Sequence, residues 1–350
     1  MKTRFPVLFT ALILVLLAGW ASCKTRTEDP LQRVFQYKPQ GVMGTVCKLV
    51  LVTDRYPPES ANEILEAAEA ELRRQEALLS TWIESSQMSR LNAAAAGESI
   101  RPAMEVSEIL IMARDLHTAT DGAFDITARP LIELWRQAGD QGLLPAREDL
   151  DTARAESNWD HLHLTADGIR KGLATTRVDV DGIAKGYAID RALEVLKRSG
   201  ARGGMVEVGG DLRVFGRGPA AAEGWNVAIR SPFDAIAWAE IEMRDGAVCS
   251  SGDYARFVEI EGRRFGHIID PRSGWPTEET RAVTVIGPDA ATADAWATAL
   301  SILGVEGLDL LRTVDDLEAM VVTGSPEDYR VMTTPGFRRR ILRADFDLAD

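Results

Sequence analysis

Cysteine and histidine are scarce in this 350-residue chain, with 3 and 4 copies, and Cys23, Cys47 and Cys249 stand far apart. The lack of any C-x-x-C pair or Cys/His cluster with metal spacing excludes a zinc module and a dithiol redox centre. Clustered positive charge is also lacking. There are 53 Asp and Glu against 40 Lys and Arg, a formal net charge of −13, and no basic run is longer than Arg338–Arg340. Nucleic-acid binding needs grouped Lys and Arg against phosphates, so nucleic acid is not an expected partner. No Walker A motif is present and no G-x-G-x-x-G follows a strand pattern, so a bound nucleotide would need another architecture.

Long apolar runs are missing as well. The one near the start, Leu8–Leu17, is too short to span a bilayer comfortably. Lys2 and Arg4 precede it and small residues follow, which is the pattern of a secretory signal over residues 1–22. Cys23, preceded by Ala21 and Ser22, stands where a lipid-modified cysteine would, although Trp20 replaces the usual leucine; a plain cleaved signal is the alternative. Residues 23–41 then read as a tether and 42–350 as the folded domain. The expected location is the periplasmic side, with the membrane reached through lipidated Cys23. A 45% hydrophobic content supplies one large core. Cys47 and Cys249 are left either to pair in an oxidising compartment or to remain separate buried thiols.

The most informative segment is Val178–Asp190, VDVDGIAKGYAID. Val178 and Val180 alternate with Asp179 and Asp181 as in a strand, Gly182 permits a turn, and Ile189, Ala192, Leu193 and Leu196 recur at helical spacing. A helix start presents unpaired N–H groups that favour anions, so Lys185 at this junction suits a phosphate. Later, Asp294 and Thr298 fall four residues apart in an alanine-rich helix over Ala290–Leu303. That spacing puts a carboxylate and a hydroxyl on one face, as hard-cation ligands need. Further helices are expected over Ala61–Ser80, Met104–Thr120, Ala128–Gln137 (interrupted by Pro130) and Glu148–Ser157, and strands over Val42–Thr53, Trp225–Arg230, Val283–Ile286 and Leu317–Thr323. Long helices beside short strands without regular βαβ alternation predict an α+β fold.

Together these segments resemble the ApbE family of FAD:protein FMN transferases. Other blocks match in the family's order: Met43-Gly44-Thr45, Leu79-Ser80-Thr81-Trp82, Ser89-Arg90-Leu91-Asn92, Thr120–Thr127, Val206–Asp211, Ser250–Tyr254 and His267–Gly274. The resemblance implies an ApbE-type, T-fold-like arrangement of mixed or antiparallel sheets packed with helices, with two lobes around a flavin cleft. It implies FAD as substrate and Mg²⁺ as cofactor. The metal ligands would be the Ala184 carbonyl, Asp294 and Thr298. The flavin site would be lined by Met43, Trp82, Ala123, Phe124, Asp125, Asp181, Lys185 and the backbone near Ile269. His267, with Asp270 as a possible orienting partner, is the expected base, and Asp294 the second catalytic residue.

The activity so implied is Mg²⁺-dependent transfer of FMN to a Thr or Ser hydroxyl of an exported or membrane redox protein, with release of AMP. Acceptors would resemble subunits of sodium-pumping quinone reductases or Rnf-type complexes. Two alternatives keep the same ligand: a Mg²⁺-dependent FAD pyrophosphatase giving FMN and AMP, and a flavin-binding lipoprotein without catalysis.

Overall fold

Strand parity builds the architecture. In the strand Cys47–Thr53, Cys47, Leu49 and Leu51 enter one apolar core while Val50 and Val52 enter another. Val283 and Val285 against Ala282 and Ile286 divide in the same way, as do Ala319 and Val321 against Met320 and Val322. Successive side chains of a strand point to opposite faces, so this sheet is covered on both sides. The structure, a computed structural model, describes residues 32–219, 223–234, 236–252 and 257–348.

The sheet has eight antiparallel strands whose spatial order follows the chain: Arg33–Tyr37, Cys47–Thr53, Gly203–Val208, Asp211–Gly216, Gly246–Gly252, Thr280–Gly287, Glu318–Ser325 and Asp328–Thr333. Helices α1 (Pro58–Leu79), α2 (Gln87–Ala93) and α3 (Met104–Ala119) contribute to the core on one face. Helices α4 (Arg129–Gln141) and α5 (Arg147–Glu156) build a smaller lobe with the hairpin Phe257–Ile260/Arg263–Gly266, around Leu131, Trp135, Ile260 and Phe265. Helices α6 (Asp181–Arg198) and α7 (Ala290–Leu303) return to the first core. Against the other face of the large sheet lies a three-stranded sheet of Trp225–Arg230, Ala237–Met243 and Ile341–Ala344, with the second strand central.

The α+β expectation is borne out, with antiparallel sheets and helices in layers. Four local expectations are corrected. Val178–Asp181 is not a strand: the alternation is real, since Val178 and Val180 are buried, but the backbone is held by the Asn92 side chain and by Ile126 instead of a ladder. Pro130 does not interrupt its helix; it sits in the first turn of α4, where its missing N–H is not needed. Val42–Thr53 is strand only from Cys47, after a tight turn at Met43, whose φ is 49°. Part of the expected tether, Arg33–Tyr37, is the edge strand of the large sheet. Phe35 and Tyr37 are half-buried against the first core while Val34 and Gln36 are exposed, and five residues give too short an alternation to stand out in the sequence.

Cys47 and Cys249 are free, buried thiols. The expected signal segment and Cys23 lie outside the described residues, as do Asp253 and Tyr254. Among the described residues no helix is long and apolar enough to cross a membrane.

Candidate active site

The centre of the site is the crossing of α6 and α7. Gly186 lies where the helices touch: a Cβ there would press on the Ala290 carbonyl and come within 2.8 Å of Ala291 Cα, so only glycine permits this approach. One turn further along α6, Asp190 accepts the Ala290 and Ala291 N–H groups at 2.8 and 2.9 Å and Arg213 Nη1 at 2.8 Å. Asp289 caps the same helix by accepting from Thr292 N–H at 2.8 Å. Asp190 thereby ties the start of α7 to α6, and Asp289 closes that start within the first turn of α7 itself. Burial pushes the Asp190 carboxyl up to about 6, against the pull of Arg213.

That fixation brings Asp294 onto the first turns of α6. Its Oδ2 accepts the Gly186 N–H at 3.0 Å and its Oδ1 lies 3.3 Å from Lys185 Nζ. Asp211, at the start of its strand, pairs with the same ammonium, and its Oδ1 accepts Ser250 N–H at 2.8 Å. Both carboxylates are almost wholly buried. Burial pushes the Asp294 carboxyl up to about 6, with Lys185 opposing and Asp211 adding to the rise. Burial alone would depress the Lys185 ammonium, yet the two carboxylates hold it above its ordinary value. One lysine thus neutralises two acids only in part. Beneath them, burial first and Asp211 second raise the Cys249 thiol well above its usual value, so it is a packing group here.

Thr298 is one turn beyond Asp294 on α7 and faces Gly182: a Cβ on Gly182 would meet Thr298 Oγ1 at 3.0 Å and the Phe124 ring at 3.4 Å. Ala184 is buried within the same first turns of α6. The Asp294 and Thr298 side chains of α7 therefore both meet the opening of α6, Asp294 at Gly186 and Thr298 at Gly182. Among the described residues there is no group of three or more His, Cys, Asp or Glu suited to a metal. A set made of one carboxylate, one hydroxyl and one backbone carbonyl is of a different kind, and all its members are hard oxygen donors.

The loop Thr120–Thr127 also reaches this junction. Phe124 packs at Gly182 as described, and Ile126 O accepts Asp179 N–H at 2.7 Å. Asp125 is buried, accepting from Thr127 N–H and Oγ1 at 2.7 and 2.6 Å, with His117 Nδ1 at 3.4 Å. Burial raises its carboxyl, Thr127 opposing. Ala123 and Phe124 are buried, Asp181 is exposed, and Trp82 is 69% exposed with the Arg136 guanidinium 5.0 Å from its ring centre. Met43 occupies the turn Val42–Thr45, and Thr45 packs on Gly209 just before Asp211.

His267 is exposed on the link between the strand Arg263–Gly266 and Ile269–Asp270, and Ile269 is buried in the core of the smaller lobe. Asp270 is engaged by Arg272, whose Nε, Nη2 and backbone N–H each donate to it at 2.9 Å. So Lys185, Ala184, Asp294, Thr298 and Phe124 converge, the segment His267–Gly274 meets the Thr120–Thr127 loop where a Cβ on Gly122 would lie 3.8 Å from Arg272 Cγ, and Trp82 stands on the surface against Arg136.

Two polar residues at the junction were not foreseen. Asp211 ends the sequence block Val206–Asp211, and the Gly209-Gly210 turn before it was the available signal. Asp179 accepts Asp181 N–H at 3.0 Å and Arg129 Nη1 at 3.3 Å; burial, then the neighbouring Asp181 charge, push it up to about 6.

The fold and site define an enzyme class in which a lysine and buried acids sit at a helix start beside a hard-oxygen donor pair. The comparisons make this specific. The ApbE family model matches residues 43–321. An FAD:protein FMN transferase of Treponema pallidum is 30% identical, with 96% of each chain covered. One of Salmonella typhimurium is 28% identical over 90% of this chain and 91% of its own. The apo crystal structure of the Pseudomonas stutzeri flavinyl transferase ApbE superimposes with a TM-score of 0.77 at 33% identity, over 88% of this chain and 97% of that one. The chain belongs to the ApbE family of FAD:protein FMN transferases.

Proposed function

We propose that this enzyme transfers FMN from FAD to a Thr or Ser hydroxyl of an exported or membrane redox protein, in a magnesium-dependent reaction that releases AMP. The observation that carries this reading is the placement of Asp294 against Lys185 and the Gly186 N–H at the start of α6. Phosphoryl transfer is mainly positioning and charge neutralisation, and this junction offers a cation, oriented N–H groups and buried acids in one place.

Residues Ala184 (through its carbonyl), Asp294 and Thr298 would hold the magnesium. The bound ion would neutralise diphosphate charge and favour departure of AMP. Lys185 would hold the diphosphate, since the Asp181, Ile183 and Ala184 N–H groups at the start of α6 already bond Asp179 and the Val180 carbonyl. Trp82 is suited to stacking on a flat ring, and Asp125 and Asp181 to hydrogen-bonding ribose, adenine or isoalloxazine groups, with Met43, Ala123, Phe124 and Ile269 completing the flavin site. The acceptor hydroxyl oxygen forms a bond to the FMN-side phosphorus, the bond from that phosphorus to the AMP phosphate oxygen breaks, and His267 takes the hydroxyl proton. Acceptors are of the kind found in sodium-pumping quinone reductases and Rnf-type complexes, and lipidation of Cys23 would hold the enzyme at the membrane facing them.

Incubation with FAD, Mg²⁺ and such an acceptor protein tests the reading. Flavin fluorescence on the acceptor in a denaturing gel supports it. Free FMN and AMP without an adduct would make the enzyme a pyrophosphatase, and FAD binding with no AMP would make it a carrier.

A further inference from the structure

The two acids at the α6 start are arranged alike. Asp294 has one carboxylate oxygen fixed by the Gly186 N–H at 3.0 Å and the other turned to Lys185 at 3.3 Å. Asp211 has one oxygen fixed by the Ser250 N–H at 2.8 Å and the other paired with the same lysine. The ammonium sits closer to Asp211, so Asp211 is its anchor and Asp294 its second contact. Both acids are side chains with only 3% exposure, and the cluster of two carboxylates and one ammonium carries a formal charge of −1. A buried carboxylate left without a cation is costly, and Lys185 is the cation that Asp294 meets.

The geometry points to Asp211 as a positioning residue that parks Lys185 against Asp294, so that this ammonium and a divalent cation compete for the same carboxylate and the lysine must give way when the cation binds. The inference rests on the reading of Asp294 as a magnesium ligand. It adds that Lys185 competes for that position and that Asp211 retains the displaced lysine beside the helix start, where a diphosphate would meet it. Such an exchange keeps Asp294 compensated in both states.

The test is calorimetric titration of the ligand-free full chain with Mg²⁺ alone, so turnover is not the readout. Lys185→Met raises the cluster charge to −2 and removes the competitor. Asp211→Asn leaves one acid with one ammonium, formally neutral. The double variant Lys185→Met/Asp211→Asn restores −1 but has no ammonium. Close charge pairs are coupled strongly enough that Lys185→Met should bind Mg²⁺ about tenfold tighter or more, and Asp211→Asn weaker by a similar factor. The double variant decides between charge and occupancy: occupancy by lysine requires it to bind tighter than the wild type, whereas a purely electrostatic role gives wild-type affinity and overturns the inference. Should Lys185→Met fail to fold because two buried acids face each other, the double variant still answers. Asp294→Ala is the control. Wild-type Mg²⁺ binding that Asp294→Ala leaves intact would remove the ligand assignment itself, whereas binding that it abolishes, with no gain in either lysine variant, would remove only the competition.

Discussion

Replacing Gly186 with alanine adds one methyl group at the closest approach of α6 and α7. The new Cβ would overlap the Ala290 carbonyl and lie 2.8 Å from Ala291 Cα, both backbone atoms that no rotamer change can move. Overpacking of a rigid contact costs about 3 kcal/mol at the upper end of its usual range. Alanine in a helix interior recovers about 1 kcal/mol relative to glycine. The net loss is then about 2 kcal/mol, which lowers the thermal midpoint by roughly 3 °C for a domain of about 300 residues. The helices can relieve the overlap only by separating, and that moves Asp294 away from the Gly186 N–H and Lys185. Since a misplacement of about 1 Å can cost about 100-fold in rate, transfer should fall much further than stability. Circular-dichroism melting together with FMN transfer to an acceptor measures both. A variant with wild-type midpoint and wild-type rate would refute the claim that this contact sets the site.

Other perturbations test separate parts of the account. Asn92→Ala removes the donor and acceptor that hold Val178 O and N–H at 2.9 and 2.7 Å, leaving two buried backbone groups unpaired; urea denaturation should show a loss on the order of 2–4 kcal/mol. Asp190 faces Arg213 and Asp289 and has its carboxyl raised to about 6 by burial. A raised carboxyl favours the folded state below its unfolded value, and that gain is lost as pH climbs through the folded value. Stability should therefore rise on going from about pH 7.5 to about pH 5, and Asp190→Asn should flatten part of that rise in denaturation midpoints. His267→Ala should lower the rate of FMN transfer to an acceptor about 10²–10⁴-fold while FAD binding is retained.

Much of the frame was legible because packing and pattern agreed. Trp225–Arg230 alternates between buried and exposed positions along its whole length and was read correctly. Helix Ala290–Leu303 was readable because Asp289 caps it and Gly304 follows its end. Val178–Asp181 misled for a physical reason: its alternation matches the burial, but a single amide side chain and one carbonyl replace the neighbouring strand. Arg33–Tyr37 is hidden because its alternation spans only five residues in a polar stretch, although Phe35 and Tyr37 pack on the core. At the site, Lys185, Asp294 and Thr298 could be named from spacing and resemblance. Asp211 is only flagged by its Gly-Gly-Asp turn, which marks the position but not the lysine it meets across 26 positions of chain.

The central claim is that the junction of α6 and α7 handles the diphosphate of FAD so that FMN passes to another protein. Mass spectrometry of an acceptor after incubation with FAD and Mg²⁺, with AMP quantified in the same reaction, tests it most directly when wild type and Asp294→Ala are compared. The account predicts one FMN adduct per AMP released by the wild type and neither product from a folded Asp294→Ala variant. Adduct formation by that variant at the wild-type rate would contradict it.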